Sequence, residues 1–293
     1  VHCPIDQQME GKDPFDVLRA VAQVVTIPVS VAGGVNSESA AAAVAAGASV
    51  VVVGGAITKA EDAAEATAQI VRVMETGEAE QTELFRRGGA DDLRELLSRP
   101  SVPNISDGFH HMPVLTGLAP VLPGVHMVGR ALTVRAYPGD WAKPVEAIDT
   151  AAPGDVWGID AGGILPACWG VLATPSALQR QLGGVVIYGA ARDTEDIREL
   201  GFPIFSTLVT PTAAEAKGFG EIGVPIRISG VDIYPGDWVI GDDDGVCIIP
   251  KDKAVEYTNR AMDVLERENR LRAEIQAGST LSQVGYLLRW EKQ

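Results

Sequence analysis

The sequence predicts an α/β protein in two parts: a short run of β/α units, then a larger mixed sheet with covering helices. Three observations carry that reading. Short, continuously apolar, β-branched runs recur, as at Val50-Val51-Val52-Val53 and Val185-Val186-Ile187, which is the pattern of strands covered on both faces. Helix-start signals follow such runs within a few residues, with glycines between. Of 293 residues, 46% are apolar but only 5% aromatic, and 32 are glycine, so Val and Ala must build the core, as suits parallel strands and the helices on them.

Charge narrows the function classes. The formal net charge is −15, and no basic stripe offsets it, which argues against direct nucleic-acid binding because that affinity rests on phosphate neutralisation. A small anionic ligand stays compatible, since one local Arg outweighs the global field at contact distance. The 3 cysteines, Cys3, Cys168 and Cys247, are far apart and form no CxxC, so we expect reduced thiols of a cytoplasmic protein. No stretch is apolar for long enough to span a bilayer, and no signal peptide is visible. A chain that opens on Val1 reads as a fragment.

Residues 1–77 alternate strand and helix. Asp13 is expected as N-cap with Pro14 at the first helical position, and the helix runs through Val17, Leu18, Val21 and Val24. Ile27 to Val31 is a strand ended by Gly33-Gly34, and Asn36 or Ser37 caps an Ala-rich helix that stops at Gly47. Ser49 to Val53 is the next strand, ended by Gly54-Gly55, and a helix from about Glu61 closes near Gly77. Paired glycines at strand ends bare backbone N–H groups and so suit a phosphate; equally, a tight βα turn needs glycine for conformation alone.

These residues carry a resemblance. Val1-His2-Cys3-Pro4-Ile5-Asp6-Gln7-Gln8, Val31-Ala32-Gly33-Gly34-Val35-Asn36 and Val53-Gly54-Gly55-Ala56-Ile57-Thr58-Lys59-Ala60 look like the C-terminal third of 3-hexulose-6-phosphate synthase, a barrel of the orotidine-phosphate decarboxylase superfamily. The resemblance implies that Gly33, Gly34, Gly54 and Gly55 hold a sugar phosphate. The family's Asp-x-Lys-x-x-Asp motif, which works with magnesium, occurs nowhere in this chain. Since a (β/α)₈ barrel needs about 200 residues, the expectation is a truncated remnant with vestigial phosphate turns. Synthase activity would belong to a longer parent chain.

Residues 78–100 are polar and charged, a linker with short helices marked by Leu84-Phe85, Leu93, Leu96 and Leu97. Residues 101–293 change pattern. Asn104-Ile105-Ser106-Asp107 is expected to precede a helix. Val128 to Arg135 alternates like a half-buried strand, Val156 to Asp160 is another, and Pro203-Ile204-Phe205 a third. Ile226 to Ile249 is β-rich with a tight turn at Asp243-Asp244-Gly245. Within this part, Gly183 to Ile187 delivers Gly189, expected as a tight turn, then Arg192-Asp193 and a short helix from Thr194. A guanidinium beside a carboxylate at a strand's carboxyl end suits an anionic ligand with a metal ion; a surface salt bridge fits the same residues.

Gly129-Arg130-Ala131-Leu132-Thr133-Val134, Pro153-Gly154-Asp155-Val156, Gly189-Ala190-Ala191-Arg192-Asp193 and Gly236 to Val246 resemble, in order, the RraA-like family. That family holds the regulator of ribonuclease E activity A and the class II 4-hydroxy-4-methyl-2-oxoglutarate aldolases. The two resemblances together give the fold class α/β, a partial (β/α) barrel segment followed by an RraA-like swivelling β/β/α domain. The second resemblance implies a divalent-metal-dependent lyase that cleaves a 2-oxo acid through a pyruvate enolate, as aldolase or oxaloacetate decarboxylase. Arg192 would bind the substrate carboxylate, Asp193 would hold Mg2+ or Mn2+, and Gly170-Val171-Leu172-Ala173 would be the substrate-binding loop. It also implies a homotrimer or hexamer.

The chain departs from the aldolase pattern of an acidic residue, twenty intervening positions, then Arg-Asp: the acidic position is Val171. Tyr188 stands where many aldolases have Asp, and there the chain looks more like the ribonuclease regulators, which lack the metal-binding Asp kept here as Asp193. A non-catalytic regulator of ribonuclease activity is therefore the alternative. Asp242-Asp243-Asp244 reads as a hairpin turn before a cation site, His110-His111 as loop histidines before metal ligands, and Asp140 with Lys143 as a solvated loop. Lys251 to Gln276 is a long charged helix, lying on its own domain or near a trimer interface, and Leu281, Val284, Leu287, Leu288 and Trp290 continue the apolar positions.

Overall fold

The computed structural model describes residues 1–60, 62–82, 87–109 and 112–285. Glu61, Leu84-Phe85, His110-His111, Leu287, Leu288 and Trp290, all singled out from the sequence, lie outside the described residues. The chain divides into two compact units. Residues 1–89 and 262–293 form the first, and residues 90–261 form the second.

The first unit holds α1 (Ile5–Met9), α2 (Phe15–Ala22), β1 (Ser30–Ala32), α3 (Ala40–Ala45), β2 (Val50–Val52), α4 (Gly55–Thr58) and α5 (Ala63–Thr76). Each starts where its local chemistry allows. Asp13 Oδ1 accepts from the Phe15 amide, so Asp13 and Pro14 do open α2, one residue later than a strict N-cap reading. Asp62 accepts from the Ala64 and Glu65 amides and caps α5, which Gly77 ends in the left-handed conformation at φ 76°. β1 and β2 pair in parallel, Ser30 with Val50 through Ala32 with Val52. Their cores are small: Leu18, Val29, Val31, Ala43 and Ala46 in one cluster, Val35, Ala40, Ile70 and Val73 in another. Val50 and Val52 stay half exposed, and no closed barrel forms among the described residues.

The second unit opens with α6 (Leu93–Leu97) and α7 (Val102–Asp107). Here the expectation needs correcting. Asn104 to Asp107 does not precede a helix; it is the helix, because Ser101 and Asn104 cap each other reciprocally across its first turn. There follow β3 (Val114–Leu115), β4 (Ala119–Pro120), β5 (Met127–Ala136), α8 (Ala142–Glu146), β6 (Val156–Asp160), β7 (Ala167–Trp169), α9 (Ala173–Gln179), β8 (Gly184–Ala191), α10 (Thr194–Leu200) and β9 (Ile204–Val209). The unit closes with β10 (Gly220–Ile222), β11 (Ile226–Ile228), β12 (Val231–Ile233), β13 (Trp238–Asp242), β14 (Gly245–Ile249) and the start of α11 (Ala254–Gln276). α11 continues into the first unit, followed there by α12 (Leu281–Val284).

Ten of these strands make one mixed sheet in the order β3-β14-β13-β5-β6-β8-β9-β4, with β10 on β5 and β7 on β8. β5, β6, β8 and β9 run parallel. β8 is covered on both faces: Val185 and Ile187 enter one cluster, with Ala177 of α9 and Ile197 of α10, while Val186 enters another with Ile226, Ile228 and Ile248. That is why its sequence is continuously apolar rather than alternating. The hairpin at Asp243-Asp244 joins β13 to β14, with Asp242 opposite Gly245. Gly189 behaves differently from the expectation. It does not turn the chain; β8 runs through it to Ala191, and the pairing with β9 shifts register between Ile187 and Ala190. A Cβ at Gly189 would come within 2.9 Å of the Ala161 Cβ, so the glycine lets the two backbones approach.

Candidate functional site

Parallel strands β5, β6, β8 and β9 all point their carboxyl ends the same way, and in open α/β sheets ligands bind outside those ends. Two of the sequence-predicted segments meet there. β7 pairs with the last residues of β8, Ala167 with Ala190 and Trp169 with Ala191. The Arg192 amide donates to the Trp169 carbonyl at 3.0 Å. The chain then leaves β7 through Gly170-Val171-Leu172 and leaves β8 through Arg192-Asp193, so the two exits lie side by side.

Asp193 starts α10 in the left-handed conformation, φ 57° and ψ 40°, a state a short polar side chain tolerates better than most. Its Oδ2 accepts from the Val171 amide at 3.1 Å and lies 3.4 Å from Arg192 Nε. Among the described residues Oδ1 takes no hydrogen bond, and the side chain is 29% exposed. A Cβ on Gly170 would stand 2.6 Å from Oδ2; only glycine lets the loop backbone come this close. Beneath, the buried Trp169 donates its Nε1–H to Thr174 Oγ1 at 3.1 Å, and Thr174 donates toward the Gly170 carbonyl at 3.4 Å. This brace fixes the loop against the core.

The four loop positions differ in surroundings. Leu172 is 85% exposed, while Ala173 is buried in the core cluster. Val171 contributes its backbone N–H and brings no second carboxylate. Sequence reasoning missed the Gly170 contact and the Trp169–Thr174 brace; a Trp-Gly at a strand end with Thr four positions after the Gly was the available signal.

Other candidates resolve separately. Asp140 is buried, not solvated, and accepts from the amides of Ala142, Lys217 and Phe219. Burial alone would raise its pKa, but these backbone donors together outweigh it and hold the carboxyl below its usual range. It ties the loop after β5 to the segment before β10. Lys143 pairs with Glu146. The Asp242–Asp244 run is spent on the backbone, with Asp242 accepting from Val102 and Asp244 amides and Asp243 from Gly124. Tyr188 packs beneath Gly163. A cleft lined by Arg135, Tyr137, Pro138, Asp160 and Gly162 lies at the ends of β5 and β6, and neither Arg192 nor Asp193 lines it. Burial pushes the Cys168 thiol up to about 12, which leaves it inert.

No group of three His, Cys, Asp or Glu gathers among the described residues. Asp193 therefore belongs to no larger ligand cluster among the described residues, and Val171 and Arg192 engage its Oδ2. That donor set suits Mg2+, which keeps several waters and is held by one or two carboxylates together with its substrate. It does not suit a zinc-type cage.

A cation, a carboxylate and the loop amide that bonds it thus gather at the ends of the parallel strands of a mixed α/β sheet. Comparison carries this further. The family model described as "RraA-like: Aldolase/RraA" matches residues 102–248. An uncharacterized protein of Methanocaldococcus jannaschii is 34% identical over 192 residues, 64% of this chain and 91% of that protein. The 4-hydroxy-4-methyl-2-oxoglutarate aldolase of Thermus thermophilus is 33% identical over 124 residues, 42% of this chain and 75% of that protein. The crystal structure of Streptomyces coelicolor RraAS2, described as an unusual member of the RNase ES inhibitor RraA protein family, superposes with a TM-score of 0.56 at 29% identity, covering 64% of this chain and 98% of that one. The chain belongs to the RraA-like family. Among the described residues no helix is long and apolar enough to cross a membrane.

Proposed function

We propose that the second unit is a divalent-metal-dependent lyase acting on a small 2-oxo acid. The observation that carries this is the Asp193 carboxylate, held through one oxygen by Val171 N–H and Arg192 while the other stays open. Arg192 would clamp the substrate carboxylate, for which a planar guanidinium is the matching partner. Asp193 would hold Mg2+ or Mn2+, which when bound supplies positive charge to a carbonyl oxygen as negative charge develops on it. The Gly170 turn brings the loop backbone against Asp193 and Arg192, and the Trp169–Thr174 brace keeps the Val171 amide aimed at Asp193.

The residue at position 171 then sorts the two reactions of this class. Aldol cleavage requires a base to take the proton from the substrate's 4-hydroxyl. Decarboxylation of oxaloacetate breaks its C–C bond without that proton transfer. Val171 offers no base, so decarboxylation is the favoured activity of this chain and aldol cleavage of 4-hydroxy-4-methyl-2-oxoglutarate the slower one. The test is pyruvate release from both acids with and without Mg2+. Metal-dependent release lost in Asp193→Asn supports the reading; release no faster than in buffer, for either acid, removes it. We further propose a homotrimer or hexamer, read directly by light scattering.

One alternative has its own support. Val171 and Tyr188 both depart from the aldolase pattern, and the relative from Streptomyces coelicolor is described within an RNase ES inhibitor family. A non-catalytic regulator would slow an RNase E-type enzyme when added in stoichiometric amount and would not respond to Asp193→Asn. For the first unit, the proposal is a vestigial synthase-like phosphate site at Gly33, Gly34, Gly54 and Gly55, with synthase activity confined to a longer parent chain. Absence of an Asp-x-Lys-x-x-Asp motif upstream in that parent would remove the latter.

A further inference from the structure

The glycine turns of the first unit are tied by side chains to two cations, and both cations are already taken. On the first turn, Gln8 is buried against Gly33 and Gly34, so that a Cβ on Gly34 would stand 3.2 Å from Gln8 Oε1. Gln8 Oε1 accepts from Arg87 Nη1 at 3.0 Å. On the second turn, the stem of Lys59 lies against Gly55, 3.8 Å from where a Cβ would be, and a Cβ on Gly54 would meet nothing within 4 Å. Between the two stands one carboxylate. Asp263 Oδ1 is 2.5 Å from Lys59 Nζ and 3.8 Å from Arg87 Nη2, and Glu266 Oε2 is 3.4 Å from the same Nζ. Asp263 and Glu266 sit three residues apart on α11 and so on one face of it.

The charges match as well as the positions. Lys59 and Arg87 carry two positive charges, the two carboxylates carry two negative ones, and a phosphate monoester brings about −1.5 to −2 at neutral pH. We propose that Asp263 and Glu266 of α11 occupy the first unit's oxyanion pocket as internal stand-ins for a phosphate, so that phosphate binding and the seating of this part of α11 exclude each other. The proposal rests on the reading of the glycine turns as a phosphate site. Its physical basis is that a phosphate facing Lys59 would bring about two further negative charges into contact with Asp263 and Glu266, and like charges at contact distance repel. A phosphate that binds must therefore displace the carboxylates, and the turns of α11 that carry them lose their anchor.

Calorimetry with inorganic phosphate and with a simple sugar phosphate tests this on the full chain, in the wild type, in Asp263→Asn/Glu266→Gln and in that variant with Lys59→Met added. We expect the double variant to bind at least roughly tenfold more tightly than the wild type, the size of a typical coupling between exclusive states, and the added Lys59→Met to abolish the gain. Tighter binding of the ester than of inorganic phosphate marks a metabolite site; equal binding marks a free-phosphate site, and either supports the exclusion. Equal binding by wild type and double variant keeps the pocket but overturns the internal stand-in. No binding by either overturns the pocket reading itself. Hydrogen exchange needs no variant: millimolar phosphate should speed exchange of the amides of residues 262–276 in the wild type, and unchanged or slowed exchange contradicts exclusion.

Discussion

The two units use the same local device with opposite outcomes. In each, a glycine at the end of a parallel strand opens the backbone beside a cation. In the second unit, β8 is buried on both faces and fixes Arg192 and Asp193 from below, and the carboxylate beside the cation is its chain neighbour, with one oxygen still open. In the first, the sheet has two strands, Val50 and Val52 stay half exposed, and the cations Lys59 and Arg87 are met by carboxylates from more than 170 residues away in the chain. A glycine and a cation at a strand end therefore do not define an open site. What decides is whether the surrounding structure leaves the counter-charge a free oxygen.

The largest effect belongs to Asp193. Asp193→Ala removes the carboxylate beside Arg192 and should lower metal-dependent pyruvate release by about 100-fold or more, the scale of losing a main electrostatic group, measured by a coupled pyruvate assay. A variant that retains most of its rate would place the chemistry elsewhere, with the Asp160 cleft the next candidate. Arg192→Lys keeps the charge but not the fork and should reduce kcat/KM by about tenfold through KM, as a lost bidentate contact does; an unchanged KM would mean that the substrate carboxylate lies elsewhere. Gly170→Ala tests the close approach itself. The new methyl meets the end of the Asp193 side chain, which can swing away, so Tm should move little while activity falls several-fold, about 1 kcal/mol of misplacement.

A smaller effect, and a pH-dependent one, separates Asp140 from Asp193. Asp140 has a lowered folded pKa, so the protein gains stability above its unfolded value of about 3.9 and loses it as pH falls through the folded value. Asp140→Asn should therefore destabilise at pH 7 and differ less from the wild type near pH 3 in urea melts. A difference that grows on acidification would reverse the sign.

Much of the candidate site's local structure was legible because it depends on near neighbours in the chain. Arg192 and Asp193 follow a buried β-branched run, and Gly33-Gly34 and Gly54-Gly55 close β/α turns, all within a few residues of chain. The acidic run at Asp242-Asp243-Asp244 was readable as a hairpin for the same reason. What the sequence could not show depends on partners far along the chain. Asp140 reads as a loop residue until Lys217 and Phe219 bring their amides to it from 77 and 79 residues away. Asp263 and Glu266 read as one charged helix face until Lys59 is placed against them. Gly189 reads as a turn because glycine alone does not distinguish a turn from a strand that must let Ala161 come close. Asn104 to Asp107 reads as the approach to a helix, and not as part of α7, because the cap depends on Ser101 and Asn104 bonding each other, which residue types permit but do not compel.

The most direct measurement is the ratio of two rates in Val171→Asp. If this site is a metal-dependent 2-oxo acid lyase short of one base, the substitution should raise aldol cleavage of 4-hydroxy-4-methyl-2-oxoglutarate by about 100-fold, the scale of a positioned general base. Oxaloacetate decarboxylation should change far less, and both should still be lost on adding Asp193→Ala. An aldol rate that stays at background in Val171→Asp, or a gain that survives Asp193→Ala, would contradict the account.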